Sequence, residues 1–443
     1  MKTRGLLLAA LALALSACGG SPARSAAERG DYRALSTELQ RLHKAGKLSN
    51  EDARKIGLAV ASHELGAAKG DDVVARLRDL RACAVDLDDA FKERSKVHDA
   101  AGAEAALARY EDGQLSASAA RDLWRDPDDA WRAIGARTLH GEHDGDARRK
   151  AMLDPSPRVR RGAMMASARA RDLADVDVLA ESARLDPEPM VRTDAVRALA
   201  ELAGKRGPNA KPTVLAESIA VRFRDLWTTG DDAVREDIAA AWAISPLFEM
   251  GGREALRVLL GQGRGPGVIA GAGAITRRTP SGAPVDRELE RAATGVLATT
   301  IREGSRRDRL HAIAIAPLWP DVLEAVRAAS KDDDALVRVP ALAKLLASKS
   351  DRDAALKELE AVAGKKDDAE LAARARLHLA AAGDLRVQAW IEQDLASPEV
   401  HVRLGAADAL AALGRSARAA PLLTDPDAHV RTRVACVLIA GGR

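Results

Sequence analysis

Apolar residues recur along much of this chain at offsets of four, seven and eight positions. Val159 is followed by Ala163 and Ala166, Val191 by Ala195, Ala198 and Leu199, and Val402 by Ala406, Ala409 and Leu410. Such offsets place side chains on one face of an α-helix. A start signal precedes each stripe. Leu153-Asp154-Pro155-Ser156-Pro157-Arg158-Val159-Arg160 returns 32 residues later as Leu185-Asp186-Pro187-Glu188-Pro189-Met190-Val191-Arg192. Asp126-Pro127 leads to Trp131-Arg132 and Asp425-Pro426 to Val430-Arg431, while Val234-Arg235, Val337-Arg338 and Val402-Arg403 hold the same phase in looser copies. Degenerate copies fit around Ile269, Asp308 and Ala372, giving about ten units from Arg132 to Arg431, about 33 residues apart.

An Asp side chain accepts from the free N–H groups of a helix start, and proline is tolerated in the first turn. Each unit therefore predicts a helix, a tight turn at Asp-Pro, and a second helix beginning near Val-Arg. A single hairpin of this kind cannot bury its own apolar stripe, so neighbours must stack. The Asp-Pro turn, the Val-Arg pair and the Ala/Leu stripe resemble the HEAT repeat, especially the short variety also found in bilin-lyase-type proteins. The resemblance covers roughly 121–443 and implies an all-α fold, an α-solenoid of stacked HEAT-like hairpins. It is a match to a structural consensus, so it implies no lyase activity. The pattern blurs at 204–216 and 261–287, where Gly, Pro and basic residues suggest longer connections.

Residues 31–120 are helical in pattern but lack the signature; Ser49 reads as a helix cap with Asp52 three residues on. They are expected to form an N-terminal helical domain that caps the solenoid. Residues 18–30, small and polar, read as a tether.

The first 17 residues differ in kind. Lys2 and Arg4 precede a run of Leu and Ala from Leu6 to Leu15, and Leu15-Ser16-Ala17-Cys18 closes the segment. Ten apolar residues rise ~15 Å as a helix, about half a bilayer core, which marks an export signal over 1–17 and not a span. The closing tetrapeptide resembles the lipobox of bacterial lipoproteins, which implies cleavage before Cys18, a diacylglyceryl group on its thiol, and palmitate as part of the anchor. In that family the following residue influences sorting, and Gly19 in place of the retention-favouring Asp implies an outer-membrane location facing the periplasm.

Composition supports helices: aromatics are 2% of the chain, far below what a β-sandwich or barrel uses. The formal net charge is +3, and near +1 once Lys2 and Arg4 are removed with the leader, so no basic excess marks a nucleic-acid binder. Cys83 and Cys436, 353 positions apart in a repeat rod and flanked by apolar residues, read as buried free thiols.

Candidate chemistry is sparse. The densest ligand cluster is His140-Gly141-Glu142-His143-Asp144-Gly145-Asp146. His-x-x-His in a glycine-bearing stretch lacks the i, i+4 spacing of a helical zinc pair, and a solvated loop is the plainer reading. No metal is expected, although His140 and His143 with one carboxylate are the ligands a ligand- or metal-binding module would use. Val258 to Gly267 mimics a strand entering a phosphate loop, yet Arg253 to Leu260 reads as helix. The recurrent arginines 132, 160, 192, 235, 338, 403 and 431 read as a ladder of Arg–Asp and Arg–carbonyl contacts between repeats, built on Asp126, Asp154, Asp186 and Asp425. No nucleophile elbow or Cys–His pair is present, and no enzyme activity or cofactor is expected.

Stacked units ~10 Å apart make a rod on the order of 100 Å. Its last helix, Val430 to Ala440, is apolar on every side, whereas solenoids ordinarily end on a polar face. Val437, Leu438 and Ile439 are therefore expected either to meet a partner or a second copy, at the opposite end of the rod from the anchor, or to tuck back on their own repeat. The functional expectation is a membrane-anchored protein-interaction scaffold.

Overall fold

The computed structural model describes residues 21–204, 213–278, 286–365 and 368–442; the proposed lipid site Cys18 and its leader lie outside the described residues. Among the described residues every regular element is helical, and the chain is an all-α solenoid. It divides into two compact units. One comprises Met1–Asp112 with Val362–Arg443, the other Gly113–Ala361. These boundaries differ from the 120/121 division suggested by the repeat signature, because the last repeats pack with the first helices.

In the central unit, the helices that follow each Asp-Pro turn form one row. Asp129–Ala136, Pro157–Ala170, Pro189–Ala203, Asp232–Trp242 and Pro266–Arg278 each lie against the next. Their stripes are the core: Val159, Ala163, Ala166, Val191, Ala195 and Leu199 are all buried. Alanine brings these helices close, and glycine closer still. A Cβ on Gly135 would stand 2.0 Å from the backbone nitrogen of Trp124, so only hydrogen fits there. The phosphate-loop mimic resolves into a helix–turn–helix. Arg253–Gly261 ends, Gly263 and Gly265 take positive φ (75° and 115°), and Pro266 opens the next helix.

In the other unit, Asn50–Ala67 packs along the final helix, Ala428–Gly441. A Cβ on Gly57 would come within 3.1 Å of the Ala435 carbonyl oxygen, which fixes how near the two axes run. Three expectations are corrected here. Leu438 and Ile439 are both 0% exposed and Val437 is half-buried, so this apolar helix is already covered, by helices from the start of its own chain. The first and last helices are thus neighbours and not opposite ends of a rod. Cys83 and Cys436 are not free thiols but a disulfide, with Cα atoms 5.4 Å apart; sequence separation is a poor guide to distance when the chain returns on itself.

The stretch whose composition reads as a tether is also structured. Pro22–Glu28 is a helix, capped by Ser21, whose Ala23, Ala26 and Ala27 face Tyr32–Lys44 and Asn50–Ala67. Among the described residues no helix is long and apolar enough to cross a membrane.

Candidate functional site

The arginine after each Asp-Pro turn has two employments. Its Nη1 reaches back to its own turn. Arg160 donates to the carbonyl oxygens of Asp154 and Pro155 (both 2.9 Å), and Arg132, Arg192, Arg403 and Arg431 repeat that pattern at their own turns. The other edge of the guanidinium reaches the next repeat. Arg132 Nε and Nη2 lie 3.0 and 3.1 Å from the two carboxylate oxygens of Asp154. Arg160 meets Asp186 at 2.7 and 2.8 Å, and Arg403 meets Asp425 at 2.7 and 3.1 Å. These forks are bidentate and charge-assisted, the strong form of the contact.

The aspartates serve two masters as well. Asp126, Asp154, Asp186 and Asp425 each accept from the backbone N–H two residues on, at 2.8–3.0 Å, which closes the turn. Burial pushes the Asp154 carboxyl up, but Arg132, the Ser156 N–H and Arg160 together outweigh it and hold the group below its ordinary range. Where the signature is looser, the acceptor moves. Arg192 uses Asp231, a helix N-cap 39 residues away, and Arg235 turns to the Trp227 carbonyl oxygen at 3.1 Å.

Arg431, in the last of the described repeats, takes its acid from the N-terminal helices. Arg431 Nε donates to Glu64 Oε1 at 2.6 Å while its guanidinium lies 4.5 Å over the Tyr32 ring. Tyr32 donates its hydroxyl to the same Glu64 oxygen, and burial, followed by that hydrogen bond and the Glu64 charge, raises its phenol well above the ordinary value. Nearby, His429 Nδ1 lies 2.8 Å from Asp79 Oδ1, and Thr432 donates to Asp79 Oδ2 at 3.0 Å. Asn50–Ala67 thereby occupies the position of a next repeat, carboxylate included. No sequence signal marks Glu64 for this, since its helix lacks the Asp-Pro turn.

The His140–Asp146 segment is a short 3-10 turn leading into Gly145–Met152. Asp144 is buried, accepts from the Gly141 N–H at 2.8 Å and pairs with Arg121; Asp146 pairs with Arg149 at 2.7 Å. Two of its three carboxylates, Asp144 and Asp146, are thus paired with arginines, and no group of three or more candidate metal ligands converges among the described residues. Close by lies a polar site that sequence reasoning missed. Arg148, 1% exposed, donates to Asp175 (2.5 Å), Asp172 (3.0 Å) and the Leu139 carbonyl oxygen (2.9 Å), and Ser167 adds a bond to Asp175 at 2.7 Å.

Between two successive turns of the central unit runs an open groove of about 610 Å³. Its walls are Leu153, Pro155, Val178, Leu185 and Pro187, with Asp177 and Glu181 on the rim. Leu153 and Leu185 hold equivalent places in consecutive repeats and are 71% and 63% exposed, with Met190 close in sequence and also exposed. Buried charge on the ladder side and bare leucine on the other give this face both register and an uncovered apolar surface.

No protein-family model matches the chain. No curated protein matches it either. Among solved structures, a crystal structure of a Kap121p mutant aligns at 10% identity and a TM-score of 0.33, covering 91% of this chain and 46% of that one. That of Kap121p bound to Pho4p aligns at 11% and 0.29, covering 85% and 47%. The chain spans about half the length of these structures.

Proposed function

We infer that the protein is a lipid-anchored scaffold of the bacterial cell envelope, carried by a lipid on Cys18 at the periplasmic side of the outer membrane, which holds a partner protein on its solenoid. The observation that carries the interaction reading is the pair of exposed leucines, Leu153 and Leu185, repeated across one groove beside the ladder. An apolar surface kept bare at the same place in two repeats favours a docking role over a structural one. Few aromatics are available as dominant contacts, so affinity is modest and spread along the groove. With the final helix buried, the groove replaces Val437–Ile439 as the contact surface.

A photo-crosslinking side chain placed at 153 or 185 in the membrane-anchored protein is expected to capture the same partner from both positions, and Leu185→Glu to abolish capture from 153. Failure to capture a common partner from both sites overturns the scaffold reading. Anchoring is tested separately: Cys18→Ser should leave the membrane fraction while keeping its helical spectrum.

A further inference from the structure

Three covalent steps separate Cys18 from Ser21, where the described structure begins. At 3.8 Å between successive Cα atoms their reach is at most ~11 Å. The chain beyond Ser21 is no stalk: Ala23, Ala26 and Ala27 are buried in the body of the terminal unit from the first turn onward. A lipid on Cys18 therefore holds that unit itself against the headgroups.

Helix lengths identify the end that faces them. Pro22–Glu28 and Tyr32–Lys44 are joined by three residues, with Gly30 at φ 67°, and run antiparallel. Seven and thirteen residues rise ~10 and ~20 Å, so the turn after Lys44 lies on the Ser21 side and ~9 Å beyond it. Gly30 abuts His63, and Arg24 and Lys55 line one cleft, so Asn50–Ala67 starts at that same end. Most charges there are matched: Arg24 pairs with Glu28 (2.8 Å), Arg41 with Glu38 (2.8 Å) and Lys55 with Glu51 (3.2 Å), while Asp52 accepts from the Ser49 hydroxyl and keeps its negative charge. Lys44 and Lys47 are exposed on the turn and have no acidic partner among the described residues.

Resting on the lipidation reading above, we propose that this end is a membrane-resting surface, with Lys44 and Lys47 on the phosphates of anionic phospholipids, so that the anchor fixes the orientation of the unit as well as its location. Two features converge on one face, a leash too short to let the unit turn away and a positive excess, two unpaired lysines against the one carboxylate of Asp52. Each lysine near an anionic surface strengthens contact roughly five-fold.

The test uses the full, lipidated chain reconstituted into phosphatidylcholine vesicles with and without one-third phosphatidylglycerol. Ala45→Cys and Lys69→Cys are labelled with a fluorophore without reductant, leaving the Cys83–Cys436 bridge intact, and the vesicles carry a headgroup quencher. Lys69 stands beyond the far end of Asn50–Ala67, about 27 Å from its start. Quenching at 45 is expected to exceed that at 69 at least three-fold in phosphatidylglycerol, and to fall several-fold on adding Lys44→Glu or 0.5 M salt. Equal quenching at both sites on protein whose mass shows the lipid overturns the orientation and leaves the anchor standing. A mass without lipid, together with loss of vesicle binding, overturns both.

Discussion

Removing the Cys83–Cys436 bridge gives the sharpest measure of how far the two chain ends hold the fold together. The bridge closes a loop spanning a separation of 353 residues. In the chain-entropy relation, loop-closure entropy grows with the logarithm of that separation and gives about 6 kcal/mol at 25 °C, against ~2–4 kcal/mol for typical shorter loops. Both cysteines are buried, so replacing the pair by alanine removes the crosslink and also leaves a small cavity in place of the two sulfurs. Cys83→Ala/Cys436→Ala is expected to lose about 4–6 kcal/mol of unfolding free energy. For a chain of this length unfolding as one transition, that corresponds to a Tm lower by about 4–6 °C. The assay is urea unfolding followed by helical circular dichroism without reductant, with reduced wild-type protein as a second arm that should match the double variant. The reasoning is refuted if iodoacetamide labels both cysteines of unreduced protein in urea, or if the unfolding free energies of unreduced wild type and double variant agree within ~0.5 kcal/mol.

Arg148→Ala strands Asp175 in the core with only Ser167 and Arg149 for company, and breaking a buried pair costs ~3–5 kcal/mol; chemical denaturation should show it, with Arg148→Met recovering part. Gly135→Ala drives a methyl into the Trp124 backbone and is expected to cost ~1–3 kcal/mol by the same assay. The Asp154 carboxyl has a folded-state pKa below its unfolded value of ~3.9, so its contribution is full above that value and is lost as pH falls through the lower one. Asp154→Asn should therefore lower the urea midpoint at pH 7 and flatten its decline below pH 4; an unchanged slope there would refute the assignment.

Much of the architecture is legible in the sequence because its code is local. The Asp-Pro turn, the stripe offsets and the Ser49 cap act within a few residues of themselves, so helices such as Pro157–Ala170, Pro189–Ala203 and Asn50–Ala67 can be placed from the chain alone. The unusual apolarity of Ala428–Gly441 is a true signal that something covers it, but local pattern is silent on what. The cover is Asn50–Ala67, and its choice rests on Gly57, Glu64 and Cys83, none of which carries a repeat signature. The same limit hides Arg148. Gly145–Met152 reads as a polar surface helix, and only Asp172 and Asp175 on the next hairpin turn its arginine inward. Arg192 shows the intermediate case, where the arginine keeps its phase and its acceptor has drifted to a helix cap.

The contact between Glu64 and Arg431 also sets an order of events during synthesis. Helix Asn50–Ala67 is among the first to be made, and the helix it must lie against is completed about 370 residues later. At ~5–20 residues per second the early helices wait roughly 20–70 s with their apolar faces uncovered. Hairpins of the central unit can stack as they emerge, since each needs only its neighbour. The terminal unit cannot close until the last helix is made, so its early helices are the stretch most in need of protection from aggregation in the meantime.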